Sequence, residues 1–129
     1  MYEIKAVRVY DLKEDTKGYR ILVDRLWPRG LRQEALRLDG WTKEIAPSKE
    51  LRQWFGHAEE RFNAFEDAYR KELSGNPTAD GFVSDIREKL KEQDVLLLYA
   101  AKNPDCNHAI ILRDWLKEKC WKQVSKREE

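Results

Sequence analysis

Between Tyr19 and Asp24 the chain alternates, with Tyr19, Ile21 and Val23 interleaved by Arg20 and Leu22, in residue types that favour a pleated strand. Glu3 to Tyr10 reads as an earlier strand, with Ile4, Val7 and Val9 as its apolar positions. Val95 to Ala100 is different: a nearly continuous apolar run, as expected of a strand covered on both faces. Asp11 to Gly18 is polar and too short for a normal crossover helix, so the first two strands form a hairpin or join through an unusually brief connection.

The middle of the chain changes period. Leu31 to Trp41 permits a short helix that Gly40 and Pro47 interrupt. Ser48 is an N-cap candidate for a short amphipathic helix with Leu51, Trp54 and Phe55 inward, closed by Gly56. Ala58 to Ser74 places Phe62, Phe65, Tyr69 and Leu73 on one stripe. Thr78 is the expected cap of a third helix facing the core through Phe82, Val83, Ile86 and Leu90. Asn107 opens a last helix, with Ile111, Leu112, Trp115 and Leu116 inward. The pattern predicts an α/β fold: a mostly parallel sheet with helices packed on it and a helical insert between strands. Residues 1–120 are expected to form the single domain and 121–129 a charged tail, with fraying from Lys117 to Glu129.

Composition narrows the classes. A chain of 129 residues is long enough to bury a core without metal or disulfides. Charged residues make up 38%, yet the net charge is only +1, without the basic excess of a dedicated duplex-binding protein. The excess is local: Arg20, Arg25, Arg29 and Arg32 face only Asp24 in that stretch. Cys106 and Cys120 lack both disulfide-scaffold density and a C-x-x-C pairing. With no signal peptide before the first strand and no apolar run long enough to span a bilayer, a cytoplasmic protein without membrane contact is expected.

Candidate chemistry gathers where strands end. After Val23 come Asp24, Arg25, Trp27 and Arg29, on a turn stiffened by Pro28 and released by Gly30. After Ala100, a short loop carrying Lys102 leads to Asn107 and His108 at a helix N-terminus, the standard place for an anion. If the two strands are parallel neighbours, both sets meet in one crevice beyond their carboxyl ends. Asp24 and His108, with His57, are then acid–base candidates, and Arg25, Arg29 and Lys102 supply charge for phosphate or carboxylate. Trp27 and Tyr99 are aromatic candidates, although for Trp27, as for Trp54, a core position is favoured over a stacking platform. The turn around His57, with Arg52 and Arg61, is expected to cap the crevice, anchored by Trp54, Phe55 and Phe62. Cys106 beside the helix N-terminus is a candidate for a lowered pKa, yet nothing else resembles a thiol-enzyme motif and a spectator thiol is the favoured reading. Two histidines without spaced cysteine or acidic partners do not make a metal site, and no cofactor is implied.

The chain also resembles a family through its words: RVYD at Arg8–Asp11, LVDRLWPRG at Leu22–Gly30, and APS-ELR-WFGH through Ala46–His57. RF at Arg61–Phe62, LLLYAAK at Leu96–Lys102 and NHAIIL at Asn107–Leu112 follow in order. These are similar to the YeaO-like branch of domain-of-unknown-function family 488. The resemblance implies a compact α/β domain and makes the residues in these words site candidates; it implies no activity. Three functions follow from the residues: binding, with or without turnover, of a small phosphate- or nucleotide-like anion; a single-stranded nucleic-acid module using the Arg20–Arg32 patch with Trp27 and Tyr99; or an interaction domain without chemistry.

Overall fold

The computed structural model describes residues 2–128, with side chains described through residue 121. Among the described residues there are four strands and five α-helices: β1 (Ile4–Arg8), β2 (Tyr19–Leu22), α1 (Gln33–Leu36), β3 (Gly40–Trp41), α2 (Lys49–Phe55), α3 (Phe62–Gly75), α4 (Pro77–Lys89), β4 (Val95–Tyr99) and α5 (His108–Glu128). The sheet order is β1-β4-β2-β3 and every pairing is parallel. The fold is therefore a small α/β domain, with α2, α3 and α4 inserted between β3 and β4.

All five residues of β4 are buried, because this strand is central and covered on both faces. The pleat divides its side chains. Val95, Leu97 and Tyr99 join Ile21 and Val23 in the core beneath the long helices, with Phe55, Phe65, Tyr69, Ile86, Leu112 and Trp115. Leu96 and Leu98 join Leu22 and Val9 on the opposite face. That second face is closed by Leu36 of α1 and by the half-buried Trp27, Leu31, Leu38 and Trp41. One face is thus a helical core with stacked aromatics (Phe55 and Phe65 rings 4.1 Å apart), and the other is closed by loops.

β1 and β2 do not form a hairpin. They run parallel with β4 between them, joined by a brief connection that contains a 3-10 turn at Val9–Asp11. The side chain of Arg20 holds that connection in place. It is 5% exposed and donates to the carbonyls of Leu36 (2.9 Å) and Thr16 (2.8 Å), with longer contacts to Lys13 and Glu14. Burying a guanidinium is tolerable because carbonyl oxygens replace its water.

Three local details differ from the sequence reading. Gly40–Trp41, read as an interruption, is a short edge strand in register with Ile21 and Leu22. The cap of α4 is Asn76 rather than Thr78: its side chain accepts from Thr78 N at 2.9 Å, and Pro77 takes a position where a missing N–H costs nothing. Helix α5 continues to Glu128, so the segment from Lys117 onwards extends a helix. The expected fraying from Lys117 to Glu129 falls largely on side chains outside the described residues.

Candidate functional site

β2 and β4 are parallel neighbours, so their carboxyl ends open side by side. The ladder continues one step past β2, where Val23 N donates to Leu98 O at 3.1 Å. Asp24 comes next, and its Oδ2 accepts from Ala100 N at 2.9 Å. Its Oδ1 lies 3.2 Å from His108 Nε2, which is also 3.1 Å from Val23 O. Both oxygens can only accept, so Val23 O and Asp24 Oδ1 compete for one Nε2 proton. Oδ1 is closed from solvent and makes no well-formed hydrogen bond among the described residues. Both side chains are largely enclosed, Asp24 at 17% and His108 at 15% exposure.

Tyr69 closes the pair from below. Its ring meets the His108 ring edge-on at 6.2 Å, and its hydroxyl donates to Ile45 O at 2.6 Å. Burial pushes the phenol well above the ordinary value of 10.0, and the carboxylates of Glu72 and Asp24 push the same way. Outward, Trp41 Nε1 donates to Asp24 O at 2.7 Å. Asp24 and His108 therefore do meet, in a closed arrangement whose hydrogen bonds go to backbone groups.

The loop after β4 is equally self-contained. Asn103 Oδ1 accepts from Asp105 N (2.8 Å) and Cys106 N (3.2 Å), while Asn107 Oδ1 accepts from Ile110 N at 3.1 Å. These amide oxygens occupy donors that an external anion would use at the start of α5. Asn107 is 2% exposed and also bonds Tyr99, itself 3% exposed. Burial is the main cause that raises the Tyr99 phenol. Neither residue presents a surface to a ligand.

Outside this inner pair lies an open rim. Arg8 Nε donates to Ala101 O at 3.0 Å, next to Lys102, and the Arg8 guanidinium sits 4.8 Å over the Tyr10 ring. Tyr10 donates its hydroxyl to Arg29 O at 2.9 Å, which ties the turn carrying Arg29 to the end of β1. Gly30, at φ +76°, closes that turn in a conformation that side chains rarely adopt. Arg29 and Lys102 are exposed, and neither side chain has a hydrogen bond or ion pair among the described residues. Arg8 and Tyr10 were not singled out from the sequence as site residues, although both stand in the RVYD word.

Other candidates go elsewhere. Arg25 is exposed but lines a separate cleft of about 370 Å³ beside Glu44, Ser48, Tyr69 and Glu72. Trp27 is half-buried, donates from Nε1 to Leu31 O at 2.7 Å, and meets Trp41 edge-on at 5.5 Å. It is a packing residue of the loop-covered face. With Arg20 buried as well, the Arg20–Arg32 patch is not a continuous basic surface.

The turn after α2 reaches the carboxyl end through Glu59, whose Oε1 accepts from Asn103 Nδ2 at 2.8 Å. His57 is exposed at φ +59°, directly after Gly56 at φ +52°, so the turn is built on two left-handed residues. Arg61 donates to Trp54 O and lies over the Trp54 ring. Arg52 is half-buried, with Nε closed from solvent and unbonded. Phe55 and Phe62 anchor this segment. Trp54 does not: it is 45% exposed, because the short α2 turns that side chain to solvent under Arg61. Cys106 also differs from expectation. Its thiol is pushed up, by desolvation and by Glu59 and Asp105 nearby, where a helix N-terminus alone would have lowered it. Among the described residues, no three His, Cys, Asp or Glu side chains converge as metal ligands.

Residues 3–129 match the family model described as "Inactive DUF488-N3 subclade". The chain is 46% identical to the uncharacterized protein YeaO of Escherichia coli (strain K12) over 114 residues, covering 88% of this chain and 96% of that protein. It is 34% identical to the uncharacterized protein Rv3073c of Mycobacterium tuberculosis (strain ATCC 25618 / H37Rv) over 113 residues, 88% of this chain and 92% of the other. No solved structure matches the chain. The chain belongs to domain-of-unknown-function family 488, in its YeaO-like branch and in the subclade described as inactive.

Proposed function

We propose that this domain binds a small anionic, phosphate- or nucleotide-like ligand at the rim formed by Arg29, Lys102 and Arg8, and does not turn it over. The observation that carries the reading is the contrast at the carboxyl ends of the strands. Arg29 and Lys102 are exposed cations without partners among the described residues, and a chain of contacts through Tyr10 and Arg8 links the backbone of Arg29 to that of Ala101 beside Lys102. The one acid–base pair nearby, Asp24 and His108, is enclosed and engaged with backbone groups. A guanidinium and an ammonium on a stiff support suit an oxyanion. A histidine that is 15% exposed, with Nε2 facing Val23 O and Asp24 Oδ1, is poorly placed to exchange a proton with a ligand at the rim. The description of the subclade as inactive agrees with binding without chemistry.

Titration with inorganic phosphate and with adenosine monophosphate tests this, alongside a single-stranded oligonucleotide at two salt concentrations. Saturable mononucleotide binding with no product formed is expected. Tight oligonucleotide binding with steep salt dependence would favour the nucleic-acid reading instead; burial of Tyr99 and packing of Trp27 leave that reading without its stacking platforms. An interaction surface is the second reading, favoured by the exposure of Leu26 (73%) beside Arg25.

A further inference from the structure

A second cleft, of about 350 Å³, lies among the end of α3, α4 and α5, and is lined by Ser74, Asp80, Ser84, Arg87, Trp115 and Lys119. Asp80, Ser84 and Arg87 recur along one face of α4, and Trp115 and Lys119 lie one turn apart on α5. Lys119 Nζ stands 5.4 Å from the centre of the Trp115 ring, so a cation is held over an apolar wall. Arg87 Nε is closed from solvent and has no hydrogen-bond partner among the described residues. Its positive charge reaches across to α5, where it pulls the buried Cys120 thiol down against the larger effect of burial. A buried guanidinium N–H without an acceptor is costly, and here it borders a cleft with two cations and one carboxylate.

We propose that this cleft is a binding site for a small organic anion, with its carboxylate or phosphate group on Arg87 and Lys119 and its apolar body against Trp115. An oxyanion in the cleft would meet the charges of Arg87 and Lys119, and a turn of the Arg87 side chain would bring its unpartnered Nε–H to that acceptor. Ser74 and Ser84 add hydroxyls at the wall, and Asp80 disfavours ligands of high negative charge. The site is separate from the Arg29–Lys102 rim and uses none of its residues.

Nitrogen-detected or proton-detected NMR of the intact chain tests it directly, following the Arg87 Nε–H and Trp115 indole N–H signals. The probes are phenyl phosphate and benzoate, with neutral benzyl alcohol as control. Saturable shifts of both signals are expected with at least one charged probe, and whichever binds tighter fixes the headgroup as phosphate or carboxylate. Lys119→Gln, a change at an exposed position, should weaken binding about tenfold without altering the melting temperature, and Arg87→Gln should weaken it further. Arg29→Ala should leave these shifts unchanged. Absence of saturable shifts, equal shifts with benzyl alcohol, or undiminished affinity in Lys119→Gln would overturn the proposal.

Discussion

The loop that leaves β2 has an inner and an outer part, and the two are built on opposite principles. The inner part, at Asp24, turns back against Ala100 N and His108 between Trp41 and Tyr69. The outer part, at Arg29, is carried to the end of β1 by its backbone contact with Tyr10, and its side chain stays in solvent. In the inner part a carboxylate fills a place that an external anion would take at an open strand end. The outer part keeps its charge uncommitted. The difference teaches that an acid and a histidine at the carboxyl end of a parallel sheet do not by themselves make an active site. Their polar atoms have to be open to a substrate, and here both side chains are largely enclosed.

Removing the packing that separates the two parts should have the largest effect. Trp27→Ala takes away the ring that meets Trp41 and the bond to Leu31 O, and should cost about 3 kcal/mol in chemical denaturation. The ring is half-buried, so the loss belongs at the lower end for such a truncation. Asp24→Ala comes next. It leaves Ala100 N and the His108 contact without their carboxylate and should cost about 1–3 kcal/mol. A loss for Asp24→Ala as small as that of a typical surface change would mean that the inner part is open after all.

Tyr69 sharpens the same contrast through pH. Its folded phenol keeps its proton to well above 10.0, whereas the unfolded chain ionises near that value. The folded state therefore holds more protons than the unfolded state above that point. Its stability should fall as pH rises past 10 until the folded phenol itself ionises. Tyr69→Phe should flatten this part of the stability curve, as measured by urea denaturation across alkaline pH. The smallest effect on stability is expected at the rim, where Arg29→Ala should stay within about 0.5 kcal/mol of the parent.

Much of this arrangement is legible in the residues. The unbroken run Val95–Leu98 announces a central strand, and the N-cap at Ser48 and the Phe65–Tyr69–Leu73 stripe follow local rules that hold in place. The meeting of Asp24 with His108 was conditional on parallel neighbours, and that pairing is present. Features made by distant pairing are not legible. Gly40–Trp41 becomes a strand only because β2 offers an edge, and two residues carry no period of their own. Trp54 and Trp27 illustrate the limit of side-chain type: the helical spacing points Trp54 inward, yet it is exposed, while Trp27 in a loop is packed. The environment of Cys106 depends on Glu59, which arrives from the far end of the helical insert. Nor does the sequence reveal that Asn103 and Asn107 occupy the loop amides, since each asparagine alone reads only as a turn or cap residue.

The central claim, that the outer rim binds an anion while the inner pair only holds the fold, is tested most directly by calorimetric titration of adenosine monophosphate into the parent chain, Arg29→Ala and His108→Ala, each first shown to be folded at the titration temperature. The account predicts saturable binding to the parent, weakened about ten- to a hundredfold by Arg29→Ala and changed little by His108→Ala. No saturable heat with the parent, or affinity lost with His108 and kept without Arg29, would contradict it.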